Sequence, residues 1–193
     1  MERKFELVTK YQGVLTEEHL PVRGTEGSAG YDFKCAEDTV IPSLFRLVFN
    51  LGQSEEFFNK VSNIMGDAEG MSLADTESLL KEFGCRPTLV PTGVRAIMPE
   101  GEYLGLKARS STPLKYLLVV ANSEGVIDSD YQFADNEGHI FVQLINLSPF
   151  DIVIKKGEKI AQGIFIPHNY TTNDKADKKR TGGFGSTSTG FSN

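Results

Sequence analysis

The feature that most constrains the fold is a recurrence of short apolar and β-branched runs: KFELVTKY, YDFKCA, TVI, TLVPTGVRAIM, YLGLKA, YLLVVA, HIFVQLINL, DIVIKK and KIAQGIFI. Runs of this length and spacing predict an all-β sandwich or barrel. Turn residues fall between them at Pro99-Glu100-Gly101, Ser148-Pro149 and Lys156-Gly157-Glu158, where proline presets φ and glycine supplies positive φ. A chain of 193 residues with 39% hydrophobic and 24% charged residues suits one domain with a real core and is short for two.

One stretch breaks the β pattern. From Ser54, SEEFFNKVSNIMG offers an N-cap, early glutamates and apolar Phe57, Phe58, Val61, Ile64 and Met65 at helical spacing. A second helix is expected from Ser72 through LADTESLLKEF, with Asp75 completing a capping box and Gly84 as the stop. Together they predict a helical hairpin inserted at about residues 50–86. The β domain then spans 1–167, and the Gly/Ser/Thr/Lys-rich segment 168–193 reads as a mobile arm.

Composition excludes several functions. A formal net charge of −6, with KADKKR as the one basic cluster, argues against a duplex nucleic-acid surface. The chain has no run of about 18 apolar residues, and MERKFELVTK has no signal-like apolar core, so the expectation is a cytoplasmic protein without membrane contact. Cys35 and Cys85 lie far apart and suit a reducing compartment. His19, His139 and His168 lack metal-ligand spacing and read as ordinary surface or half-buried side chains. No phosphate-loop motif and no GxSxG elbow is present.

Three polar clusters remain. ANSEGVIDSDY at 121–131 reads as a β-hairpin turning at Gly125, whose Asn122 amide and backbone could hydrogen-bond a planar base; the alternative is a solubilising surface turn. KARSSTPLK at 107–115 puts Arg109 beside hydroxyl residues, a plausible phosphate clamp that on its own is weak. GSAGYDFK at 27–34 carries Asp32 at a strand start, a position usually taken by turn residues.

Taken in order, AGYD (29–32), PTGV (91–94), ARSS (108–111), NSEGVIDSDY (122–131), KKGEKIAQGIF (155–165) and GGFGST (182–187) resemble the signature motifs of the trimeric dUTPase family, with PTGV as a landmark between the first two motifs. The match runs from about residue 5 to the C-terminus apart from the insert. The resemblance implies a jelly-roll-like β-barrel and a homotrimer with sites shared between subunits. It also implies Mg²⁺-dependent hydrolysis of dUTP to dUMP and pyrophosphate. By the same resemblance Asp128 orients and deprotonates the attacking water, and Asn122, with the backbone around Gly125 and Ile127, reads uracil. Tyr131 packs on the deoxyribose and excludes a 2′-hydroxyl. Arg109, Ser110, Ser111 and Gln162 contact phosphates, and Asp32 touches the metal through water. In the arm, Phe184 lies over the uracil, Arg180 meets the γ-phosphate, and Gly185, Ser186 and Thr187 donate to the triphosphate.

The sibling dCTP deaminase family is the rival with the same fold. It carries a glutamate where FVQLIN holds Gln143, and an amide cannot relay a proton. Three departures from the dUTPase pattern stand out. QFADNEGHI lengthens the loop after Tyr131, Arg180 stands one residue closer to Phe184 than is usual, so that Lys179 could share its role, and the helical insert is extra. The insert is either a structural elaboration or a docking element for a protein partner.

Overall fold

The computed structural model describes residues 2–66, 70–177, 180 and 182. Sixteen regular elements follow in order: strands β1 (Lys4–Leu7), β2 (Val22–Arg23), β3 (Tyr31–Lys34) and β4 (Thr39–Ile41), helices α1 (Leu44–Leu51), α2 (Glu55–Met65) and α3 (Leu73–Glu82), strands β5 (Thr88–Pro91), β6 (Val94–Ile97) and β7 (Glu102–Lys107), helix α4 (Ser111–Tyr116), and strands β8 (Leu118–Val120), β9 (Glu124–Asp128), β10 (Phe141–Asn146), β11 (Ile152–Ile154) and β12 (Lys159–Pro167).

Every strand pairing is antiparallel. Among the described residues the ladders are β1-β6, β5-β10-β8, β11-β4 and the five-stranded β2-β3-β12-β7-β9. The all-β, jelly-roll-like expectation is met by these separate sheets rather than by one closed ladder. Inward alternation is clear on β10, where Val142, Leu144 and Asn146 are buried and the residues between them are not. Val142 and Leu144 meet Phe33, Ile41, Leu104, Leu106 and Ile140 in one core.

PTGV is held by the two histidines that the sequence suggested were peripheral. His19 and His139 are both 7% exposed. His19 Nε2 lies 2.9 Å from the Thr92 carbonyl; a carbonyl only accepts, so that nitrogen carries a proton. The Gly93 amide donates to His139 Nε2 at 3.0 Å, so that nitrogen must be bare. Gly93 itself has φ +74°, and an added Cβ would stand 2.7 Å from Leu15 Cδ1. Conformation and space both require glycine there.

The insert is larger than the hairpin predicted at 50–86. It opens with α1, whose run LFRLVFNL reads as strand as readily as helix. Ser43 decides it: its Oγ accepts from Arg46 N at 3.0 Å, its own amide donates to Asp151 at 2.9 Å, and Arg46 pairs with Asp151. The two predicted helices are present, capped by Ser54 and Ser72 as expected. Ser72 Oγ also donates to the Asp75 carboxylate, in place of the reciprocal backbone bond of a capping box. Gly84 (φ +70°) stops α3, with Cys85 N bonded to Leu80 O at 2.9 Å. Both cysteines are free thiols. No described helix is long and apolar enough to cross a membrane.

Burial pushes His139 down to about 4, and Lys10, Glu37 and Glu137 face it. An unfolded histidine titrates near 6.5. Between these values the unfolded chain binds the extra proton, so the contribution of His139 to stability is complete above the unfolded value and is lost as pH falls toward the folded one. His19 is shifted in the same direction, also by burial. Denaturant titrations from about pH 7 to about pH 4 are expected to show stability falling across this window. His139→Gln, which keeps an acceptor for Gly93, should flatten the fall; an unchanged slope in the variant would contradict the assignment.

Candidate active site

The stretch 121–131 does not form a two-stranded hairpin. β8 pairs with β10 and β9 pairs with β7, so the turn between them passes from one sheet to another. The bend lies at Ala121–Ser123, with Ser123 at φ +53° and its amide bonded to Val120 O at 3.1 Å. Gly125, expected at the turn, sits inside β9. Its role is spatial: a Cβ there would meet Leu106 Cβ at 3.3 Å and Asn122 Nδ2 at 3.5 Å.

This turn, β9 and β10 enclose a cavity of about 300 Å³ lined by Asn122, Gly125, Ile127, Asp128, Tyr131 and Arg180, among others. Gln143 lines it too, and its carbonyl holds the turn by accepting from Ala121 N at 2.9 Å. Tyr131 is 5% exposed. Its hydroxyl donates to the His139 carbonyl at 2.9 Å and accepts from Asn136 Nδ2 at 2.8 Å.

A second group gathers at the other end of the five-stranded sheet. On β12, Gln162 stands in register between Asp32 on β3 and Lys107 on β7. Its amide donates to Ala108 O at 3.0 Å, and a Cβ on Gly30 would lie 2.5 Å from its Oε1. Arg109 Nε donates to Asp32 Oδ1 at 2.8 Å, and Lys159 Nζ lies 2.8 Å from Oδ2. Burial raises the Asp32 pKa, but the hydrogen bonds from Lys159 and Arg109 outweigh it and hold the carboxyl below its ordinary value. Ser110 and Ser111 open α4; Ser110 makes no capping bond with its hydroxyl. Arg109, Ser110 and Ser111 line a cavity of about 670 Å³ together with Lys159.

The two groups do not meet within the chain. Asp128 pairs with Tyr103 and Gln162 with Lys107, four residues apart on β7. At about 3.3 Å per residue that is roughly 13 Å along the strand, with two strand spacings of about 4.8 Å across.

Arg180 stands with the carboxylates of its own chain. Its Nε donates to Asp130 Oδ1 at 2.7 Å, its Nη2 pairs with Asp128, and its guanidinium lies 5.7 Å from the Tyr131 ring. Two neighbouring carboxylates attract that cation together. Lys179, Phe184, Gly185, Ser186 and Thr187 lie outside the described residues.

Sequence reasoning missed Lys159, which sits next to a register shift in β12, and Asn136. The first could have been suspected from a lysine three residues before Gln162; nothing local marked the second. No group of three or more His, Cys, Asp or Glu among the described residues could cage a metal. The Asp32 oxygens each face a cation, so this carboxylate fits contact with a metal-bound water better than direct ligation.

The chain matches the family model described as dUTPase over residues 73–190. It is 38% identical over 188 residues to the deoxyuridine 5′-triphosphate nucleotidohydrolase of Lactococcus lactis, covering 96% of this chain and 97% of that one. Among solved structures, the dUTPase of Streptococcus mutans superposes with a TM-score of 0.62 at 36% identity, over 88% of this chain and 99% of the other. A phage dUTPase from S. aureus, described with a structural Mg(II) ion, shares the fold with a TM-score of 0.57 at 16% identity, over 94% and 100%. With the motif residues gathered into these two clusters and a relative this similar along nearly its whole length, the chain belongs to the dUTPase family.

Proposed function

We propose that the chain hydrolyses dUTP to dUMP and pyrophosphate by attack of an Asp128-held water on the α-phosphorus, in sites assembled between the chains of a homotrimer. The register on β7, which sets Asp128 and the phosphate-clamp residue Gln162 roughly 13 Å apart along the strand, supports the shared-site part of this reading. Each site would take its base pocket and carboxylate from one chain and its phosphate contacts from another.

In the pocket, Asn122 offers both an acceptor and donors to the uracil edge. Cytosine reverses two of those groups and would leave buried polar atoms unpaired. Tyr131 lies flat against the deoxyribose and leaves no room for a 2′-hydroxyl. An ionised aspartate accepts only, so Asp128 can hold a water in line and take its proton. Arg109, Ser110, Ser111 and Gln162 grip the phosphates, and Arg109 brings a rigid fork of donors that lysine lacks. Mg²⁺ on the phosphates would neutralise and orient the triphosphate, with Asp32 holding one of its waters. Arg180 would exchange Asp128 and Asp130 for the γ-phosphate as the arm closes, freeing Asp128 for the water. Phe184 and residues 185–187 complete that lid. Gln143 at the cavity wall favours hydrolysis over deamination, because an amide does not shuttle a proton. The free thiols of Cys35 and Cys85 suit a reducing compartment such as the cytoplasm.

A second reading concerns the insert. Its helices bury one side chain, Leu79, and expose Phe45 (63%), Phe49 (59%) and Leu73 (74%). Apolar side chains at this exposure suit contact with a protein partner rather than chemistry. Pro42 and Pro87, at the two ends of the insert, line one small cavity, so a short link can replace the insert.

With Mg²⁺ and a panel of dUTP, dCTP, dTTP and UTP, pyrophosphate release is expected from dUTP alone, and Asp128→Asn should slow it by roughly a thousandfold while the protein stays folded. Release from dCTP, or a fully active variant, would overturn the reading. Replacing residues 44–86 by a Gly-Ser linker should leave dUTP turnover within a few-fold; joint loss of assembly and activity would make the insert structural.

A further inference from the structure

In the loop that follows Tyr131, two hydrogen bonds meet on one atom, the tyrosine hydroxyl. From Tyr131 the chain runs through Ala134, whose amide donates to Tyr131 O at 3.0 Å, to a reversal at Glu137 (φ +60°) and Gly138 (φ +72°). A Cβ on Gly138 would meet Gln132 Cα at 2.8 Å and Tyr131 O at 2.9 Å, both backbone atoms, so the reversal packs directly on the segment that carries the tyrosine. Asn136 sits inside the reversal. Its Oδ1 accepts from Gly138 N at 3.1 Å, which fixes the amide orientation and aims Nδ2 at the Tyr131 hydroxyl, 2.8 Å away. The hydroxyl in turn donates to the His139 carbonyl at 2.9 Å.

The loop is itself anchored to distant parts of the fold. The Glu137 carboxylate accepts from Thr9 N at 3.0 Å and Thr9 Oγ1 at 2.8 Å. The His139 ring accepts from Gly93, and Ile140 N donates to Val94 O at 2.9 Å. Tyr131 is therefore held at its far end by two bonds from a braced loop, one donated and one accepted, and Asn136 Nδ2 also lies 3.4 Å from the His139 carbonyl that takes the other bond.

We propose that Asn136 is a positioning residue that sets the depth of the Tyr131 ring in the pocket, and that the loop 132–139 thereby sets discrimination between 2′-deoxyribose and ribose. This rests on the reading of Tyr131 as the residue that packs on the sugar. Steric exclusion of a single hydroxyl depends on displacements of tenths of an ångström, because the repulsive wall between packed atoms is steep. Loss of one of the two anchors lets the ring retreat by that much.

The test is the ratio of kcat/KM for dUTP to that for UTP. Loss of fold or of active fraction lowers both rates together and leaves the ratio unchanged, whereas a displaced ring changes it. Asn136→Asp is nearly isosteric and keeps the acceptor for Gly138 but removes the donor to Tyr131; Asn136→Ala removes both. Each is expected to lower the ratio about five- to tenfold, the worth of roughly one hydrogen bond. Tyr131→Phe, which removes only the hydroxyl, should lower it similarly, and adding an Asn136 substitution to Tyr131→Phe should produce no further change. An unchanged ratio in both Asn136 variants while Tyr131→Ala alters it would overturn the proposal and leave the sugar-packing role of Tyr131 standing. An unchanged ratio in Tyr131→Ala as well would overturn both.

Discussion

Strand β7 is the element on which the site depends. It lies between β12 and β9 in the five-stranded sheet, with Tyr103 opposite Asp128 at one end and Lys107 opposite Gln162 and Glu124 at the other. The register of these two ladders fixes how far Asp128 stands from Gln162 and the Arg109 cluster. A two-residue slip would shift that distance by about 7 Å, and a one-residue slip would turn Leu104 and Leu106 out of the core. The core packing that keeps these leucines buried also keeps the two halves of the site apart. The proposed trimer turns that separation into a shared site.

Electrostatics divides the same way. One end of the sheet gathers Arg109, Lys159 and the serines of α4 around a single carboxylate, Asp32; the other places Asp128 and Asp130 together with Arg180. A chain with a net charge of −6 can meet a polyanion when its cations are concentrated where phosphates belong and its carboxylates are held elsewhere. Arg180 stands wholly at the second end, paired with both of its carboxylates.

What the sequence disclosed was governed by range. The caps at Ser54, Ser72 and Gly84 were legible because each is decided within a few residues, and the β10 run was legible because Val142, Leu144 and Asn146 alternate with less buried neighbours. Helix α1 was not, since the bond that secures its cap residue joins Ser43 to Asp151, 108 positions away. In the site, the motif residues could be named individually, but not which of them meet. Asp32 finds Arg109 across 77 positions, and finds Lys159 only because β12 pairs with β3. The same limit hid His19 and His139, whose spacing carries no signal although both grip the PTGV turn. Asn136 lies close to Tyr131 in sequence, yet its role needed the positive-φ reversal at Glu137 and Gly138 to become visible.

The most direct test of the shared site is complementation between two inactive proteins. Asp128→Asn and Arg109→Ala chains, each purified separately, are mixed in equal amounts under conditions that let subunits exchange, and pyrophosphate release from dUTP is measured before and after. If a site takes Asp128 from one chain and Arg109 from another, random assortment leaves about a quarter of the sites with both intact, and activity returns to a corresponding fraction of the unmodified enzyme's. If both residues serve a site within one chain, every site in every mixture lacks one of them, and activity stays at the level of the separate variants.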